Sequence, residues 1–324
     1  MPMVLSDTMN NGQAITMPAG WMGVFGSGQY KAFMVPGTHS FTVPDSISRI
    51  RVRVVGAGGS GAEGNSSGFT GGSSSFGVLL SATGGEGGKA GSNQVSIGGT
   101  GAGGNYQASG GSSLSNGSTF ARPFTTINNG GGAAAGSQLG NGGNSYGKGG
   151  AAVGNNHSTS ASDWGASAYG MNTSRDPGPD CMGLVTARSE YDRPVYPVER
   201  FPFDFFSGGG SCVLSTGNAN VFSYAGSGAG GAYNQNSSAT KGGHGGGGGG
   251  SYYSSAGSGG CGGGGGKMNI HSADGTGGAG GGYAHGVFDV SSGDSFAVTV
   301  GLGGRRSSND FIGTGGHGLV VVEW

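Results

Sequence analysis

Two segments, Gly64-Asn65-Ser66-Ser67-Gly68 and Gly143-Asn144-Ser145-Tyr146-Gly147, carry the Gly-x-Ser-x-Gly spacing that can set a nucleophilic serine on a sharp turn. His244-Gly245-Gly246-Gly247 has the composition of an oxyanion-hole loop. Glycine is so abundant, 82 of 324 residues, that about three such matches are expected by chance, and no strand-turn-helix context surrounds them. Lys89, Lys148 and Lys267 follow glycines but precede Ala, Gly and Met, so no phosphate-binding Gly-Lys-Ser/Thr occurs. The six histidines (His39, His157, His244, His271, His285, His317) never fall at metal-ligand spacing. Cys181, Cys212 and Cys261 are odd in number and widely spaced, and read as reduced thiols with no disulfide framework. The paired acids Asp176/Asp180 and Glu190/Asp192 read as solvated loop residues. The expectation is a protein without enzymatic activity, cofactor or metal.

Recognition chemistry is the better-supported alternative. Residues 163–206 hold Trp164, Tyr169, Tyr191, Tyr196, Phe201, Phe203, Phe205 and Phe206, interleaved with Arg175, Asp176, Arg188, Asp192, Arg193 and Arg200. Rigid rings bury area at low entropy cost and arginine adds directed donors, the composition of contact surfaces. Trp164, Tyr169, Arg175, Tyr191, Arg193, Tyr196, Phe201 and Phe203 are therefore the candidate contact residues. The same rings could equally form a small core of their own. The stretches Tyr191-Asp192-Arg193-Pro194 and Phe201-Pro202-Phe203-Asp204 favour a rigid extended loop.

The elements that would carry such a surface are strands near both ends. Thr38 to Val43 reads as extended, with Phe41 and Val43 on one face, and Pro44-Asp45 as a turn. From Ser48 to Val54, Ile50, Val52 and Val54 alternate with Arg49, Arg51 and Arg53. The arginines suit either a binding stripe or the solvated face of an antiparallel strand, and the solvated face is the reading adopted. Ser75 to Ser81 reads as one short strand. Gly286 to Val290, a turn at Ser291–Asp294, and Ser295 to Val300 follow near the end, and Leu319 to Trp324 reads as a closing strand buried on both faces. First and last strands are expected to pair in a small β-sandwich, with the glycine-rich middle as one long excursion. No window has helical periodicity over a helix length.

Charged residues make up 10% of the chain and net charge is −1, which gives no electrostatic reason to expect nucleic acid or an anionic membrane. The start has no basic, apolar signal-peptide pattern and no stretch reaches membrane-spanning length, so folding in a cytosol is expected. With 10 prolines and no long Gly-x-y period, the chain is not collagen-like. Ordering each glycine costs about 1–2 kcal/mol. The 29 aromatic residues (15 Phe, 11 Tyr, 3 Trp) and the dense glycine blocks favour folding over flexible linkers.

Glycine is poor in helices and strand interiors. A regular alternative is the polyglycine II helix, with three residues per turn, outward-pointing backbone groups and lateral pairing. On this expectation the run Gly242 to Gly250 spans roughly 28 Å. The single non-glycines His244, Cys261 and Ala279 then sit where a side chain escapes to the lattice surface. The fold class expected is all-β/irregular: a small β-sandwich from N- and C-terminal strands, a polyglycine II lattice and almost no α-helix. Residues 1–35 read as a leader or attachment segment, and 36–324 as the glycine-rich domain interrupted by the insert at 163–206.

Phe41-Thr42-Val43-Pro44 and Ile50-Arg51-Val52-Arg53-Val54-Val55-Gly56-Ala57-Gly58-Gly59 resemble the opening of glycine-rich bacteriophage tail proteins. Gly293-Asp294-Ser295-Phe296-Ala297-Val298-Thr299-Val300-Gly301 and the ending Gly315 to Trp324 resemble their close. The resemblance spans roughly 37–324 without the insert. It implies a virion tail-fibre or tail-tip adhesin, assembled in the host cytoplasm, that presents loops from a polyglycine II lattice to a bacterial receptor. That receptor would be a glycan, pilus or outer-membrane protein. The other partners implied are further tail or fibre proteins, with a homotrimer as one possible state and neither nucleic acid nor membrane insertion involved. A purely structural tail or baseplate part without receptor contact is the alternative. An ice-binding protein would need regular Gly-x-x repeats that these runs lack.

Overall fold

Alternation of apolar and polar side chains is what drives the best-defined part of the chain. The computed structural model describes residues 29–63, 65–115, 131–138, 140–145, 241–242, 244–251, 255–268, 275–305 and 313–324. It also describes the backbone of the short strands Val4–Leu5, Ile15–Thr16, Ser211–Val213 and Ser223–Ala225. Among the described residues there is no helix, and the fold is all-β with antiparallel sheets.

Ten strands build a two-sheet sandwich. They are β1 (Tyr30–Phe33), β2 (Gly37–Thr42), β3 (Arg49–Val55), β4 (Ser74–Phe76), β5 (Leu80–Ala82), β6 (Gly101–Gly103), β7 (Tyr106–Ala108), β8 (Tyr283–Asp289), β9 (Ser295–Val300) and β10 (Leu319–Glu323). One sheet runs β7-β8-β3-β10-β1 and the other β2-β9-β4-β5-β6. Ile50, Val52 and Val54 from β3, with Val320 and Val322 from β10, face Phe41, Phe76 and Val298 of the opposite sheet in one buried cluster. First and last strands do pair: β10 lies between β3 and β1, with Val320 opposite Val54 and Phe33. β10 is buried on both faces, as its unbroken apolar run requires. Tyr30–Phe33, in the stretch read as a leader, forms the edge strand of that sheet.

Two expectations about strands need correction. Ser75 to Ser81 is not one strand but a hairpin, with Phe76 opposite Leu80. Gly77 turns the chain at φ +52° and Val78 stands fully exposed at the tip. The middle of the chain is also not wholly an excursion, because residues 74–108 supply four strands to the sandwich.

Strands run directly into glycine segments. β3 continues into 56–62, segment 276–282 leads into β8, and β9 continues into 301–304. Past these junctions the hydrogen-bond spacing changes from two residues to three. Gly56, Gly59 and Ala62 donate their N–H groups to the carbonyls of Gly282, Ala279 and Thr276. Ala57 and Ser60 donate to Gly72 and Phe69, and Gly58 and Gly61 to Gly316 and Gly313. Segment 56–62 thus sends bonds to three antiparallel neighbours in rotation. It accepts bonds from three more segments, through Gly85 and Gly88, Gly265 and Met268, and Gly304.

Segments 56–62, 276–282 and 262–268 close a ring. The first donates to the second, Gly278 and Gly281 of the second donate to Gly265 and Gly262 of the third, and Gly265 of the third donates to Gly59 of the first. Buried backbone is satisfied by backbone, in place of an apolar core. A Cβ on Gly58 would overlap the Gly263 carbonyl and one on Gly61 the Gly266 carbonyl. Ala57 and Ser60, three apart, take the remaining direction and are accommodated.

The non-glycines do not all escape to the surface. Ala279 is completely buried, as are Ala57 and Ala62, because a methyl fits where no neighbouring carbonyl intrudes. His244 and Cys261 are partly exposed. Nor is Gly242 to Gly250 a straight rod: Gly245 turns at φ +74°, and a Cβ on Gly242 would meet the Gly246 carbonyl as the chain doubles back.

Candidate functional site

The eight receptor-binding candidates of the insert, Trp164, Tyr169, Arg175, Tyr191, Arg193, Tyr196, Phe201 and Phe203, lie outside the described residues. The serine motifs serve the backbone. Ser145 is buried and its hydroxyl donates to the Gly131 carbonyl, which also accepts from Ser113 at 2.7 Å. Ser66 exchanges backbone hydrogen bonds with Glu63 across a tight turn. Burial pushes the Cys261 thiol up to about 12, which keeps it protonated and a poor nucleophile at neutral pH. Among the described residues, no three His, Cys, Asp or Glu side chains gather as a metal site, and no helix is long and apolar enough to cross a membrane.

The arginine stripe is where the reading changes most. Strand parity places Arg51, Arg53 and Val55 on the sheet face away from the sandwich core, beside Glu323 and Val321 of β10 and Tyr283 and His285 of β8. Glu323 receives Arg53 Nη2 at 2.6 Å and also Arg51 Nε, so one carboxylate clamps two guanidinium groups. Arg53 and Glu323 are mostly buried, with side-chain exposures of 12% and 18%. Arg49, paired with Asp289 at 2.7 Å, and Arg51 keep the expected exposed character, with side-chain exposures of 43% and 37%. At the Val55 end of this face Ala135 and Cys261 of the glycine segments pack in one cluster with Val55, Tyr283 and Leu319.

Beside the clamp stands an aromatic group. Tyr106 contacts His285 with ring centroids 5.4 Å apart and Tyr283 at 6.3 Å. Tyr283 Oη and His285 Nδ1 are buried without a hydrogen-bond partner. Burial raises the Tyr283 hydroxyl far above its usual range, with Arg53 and Arg51 opposing. Burial, then Arg53 and Arg51, lowers His285, so it stays neutral. Parity in Tyr283-Ala284-His285 and Glu323 at the end of the closing strand were the available signals for this cluster. They could not be used without knowing that β3 lies between β8 and β10.

A separate cleft of about 510 Å³ opens where the lattice meets the sandwich edge. Met34, His244, Ser258, Cys261, Arg305, Thr314 and His317 are among the described residues that line it, with glycines 259, 303, 315, 316 and 318. His317 Nδ1 accepts the Gly303 N–H at 3.0 Å, and Thr314 Oγ1 donates to Ser258 Oγ at 3.1 Å. These residues come from five separated stretches of chain, which is why no sequence motif announces the cleft.

No protein-family model matches the chain, and neither curated proteins nor solved structures give a match.

Proposed function

We propose that the protein is a bacteriophage virion component, a tail-fibre or tail-tip protein that attaches the particle to a bacterial surface receptor. The observation that carries this reading is the ring of three glycine segments bonded laterally at every third residue. That spacing, with three directions of donation, supports assigning the segments to polyglycine II geometry. Such a lattice, continuous with a β-sandwich, is a stiff platform suited to holding loops at a distance from the particle. The end motifs around Phe41–Gly59 and Gly293–Trp324 resemble those of glycine-rich tail proteins, which supports the same reading.

On this proposal receptor contact falls to the aromatic and arginine-rich insert, with the glycine-segment loops beside it, and assembly takes place in the host cytoplasm. Gold-labelled antibody on intact virions should decorate the tail, and purified protein should block adsorption to host cells. Deleting 165–203 should abolish that block while leaving the fold intact by circular dichroism. Virions without label would overturn the virion assignment. Full-length protein that decorates tails yet never blocks adsorption would establish the purely structural role.

A further inference from the structure

Strand β2 (Gly37–Thr42) is the longest free edge of the sandwich, since the other three edge strands, β1, β6 and β7, run to three or four residues. Two flanking bonds fix which of its backbone groups are spent. Val43 N–H donates to the Asp294 carbonyl, and on the far side of β9 Gly77 N–H donates to the Ala297 carbonyl. In an antiparallel ladder successive residues turn their N–H and C=O groups to opposite sides. Residues 296, 298 and 300 of β9 therefore face β2, where Phe41, His39 and Gly37 lie opposite and bond to them. Thr38, Ser40 and Thr42 turn their backbone groups outward, and among the described residues no backbone group bonds them there. All three are exposed.

Nothing on this edge discourages pairing. Free edges are usually blunted by charge, proline or a bulge. Residues 37–42 and 295–300 hold no Asp, Glu, Lys, Arg or Pro, and their register runs without a bulge. The β1 edge, by contrast, carries Lys31. Thr38, Ser40 and Thr42 also read the same in both directions. A second β2 laid antiparallel about Ser40 sets Ser40 against Ser40 and Thr38 against Thr42 twice. Each such pair exchanges two N–H···O bonds, about six in all, and opposed hydroxyl side chains make favourable cross-strand pairs. Antiparallel pairing also sends Asp45 and Asp294, which flank the Thr42 end, to opposite ends of the joined strands. A parallel pair would set those carboxylates side by side.

We infer that two copies of this chain pair antiparallel through β2, joining their sheets across a two-fold axis at Ser40. One strand pair buries little beside the roughly 1,200–2,000 Å² of a standard interface. The dimer is accordingly weak, with a dissociation constant of roughly 1–100 μM.

Sedimentation equilibrium of the full chain from about 1 to 300 μM tests this, and the average mass should rise from monomer toward dimer and no further. Thr38→Lys with Thr42→Lys opposes like charges in both outer pairs and should weaken association by about tenfold. Thr38→Lys with Thr42→Glu opposes unlike charges and should restore association to at least the parent level. Both sites are exposed, so both double variants should keep the parent's circular dichroism spectrum. A parent chain still monomeric at about 300 μM would overturn the inference and leave the edge to a strand of another protein. Growth beyond the dimer, association indifferent to the lysine pair, or equal loss in both double variants would overturn it too. The parent series needs no variant to fold, and none of these outcomes bears on the virion experiment.

Discussion

Gly59 and Gly278 approach so closely that a Cβ on Gly278 would overlap the Gly59 carbonyl oxygen. One residue further along, the N–H of Gly59 donates to the Ala279 carbonyl at 3.0 Å. Close approach and bonding are two sides of one packing. Gly278→Ala should therefore cost more than about 3 kcal/mol or prevent folding, because the obstacle is backbone and cannot swing away. Ala279→Gly at the adjoining position, which tolerates a methyl, should cost about 1 kcal/mol. Denaturant unfolding of both variants measures the contrast, and equal effects would contradict the lattice.

Glu323 serves two guanidinium groups at once, so its removal should be felt more than that of an ordinary surface acid. Glu323→Ala should destabilise by about 1–3 kcal/mol, allowing for partial solvent screening. Asp289→Ala, which removes the exposed partner of Arg49, should leave the unfolding midpoint unchanged. Thermal melts of the two variants decide this, and similar losses would show the clamp to be no stronger than the surface pair.

Tyr283 presents the opposite case. Its ring is buried and its hydroxyl makes no hydrogen bond, so Tyr283→Phe removes an unsatisfied polar atom while keeping the packing. Stability should stay within about 0.5 kcal/mol of the parent or rise. A loss of about 2 kcal/mol or more would mean that the hydroxyl has a partner in solution.

His285 should make the fold acid-sensitive. Its folded value lies below the ordinary one of about 6.5. As pH falls through that ordinary value, the unfolded chain takes up a proton that the folded chain refuses. Stability is then complete above about pH 6.5 and declines below it, until the folded value is passed. The melting midpoint should drop between pH 7.5 and 5.5, and His285→Gln should reduce that drop. An identical drop in the variant would assign the sensitivity elsewhere.

Side chains made the sandwich legible and their absence hid the lattice. Ile50, Val52 and Val54 announce a strand and its buried face, and Leu319 to Glu323 announces a strand covered on both sides. Gly58 and Gly265 carry no such pattern, since lateral pairing is decided by backbone registers that no side chain marks. A weak signal existed in the spacing by three of Ala57 and Ser60, and again of Thr276 and Ala279. The solvated-face reading of the arginine stripe holds for Arg49 and Arg51 but not for Arg53, because alternation reports which residues share a face but not what covers it. Ser75 to Ser81 hid a turn because Gly77 stands inside an otherwise strand-like run.

Amide hydrogen exchange at Ala57, Gly59, Gly265, Gly278 and Ala279 tests the lateral bonding most directly. Each N–H is bonded to another segment's carbonyl, so all five should be protected to the same degree as the core strand amides of Val52 and Val54 and should be released with global unfolding. Exchange at the rate of an open chain at these positions, with Val52 and Val54 still protected, would contradict the lattice.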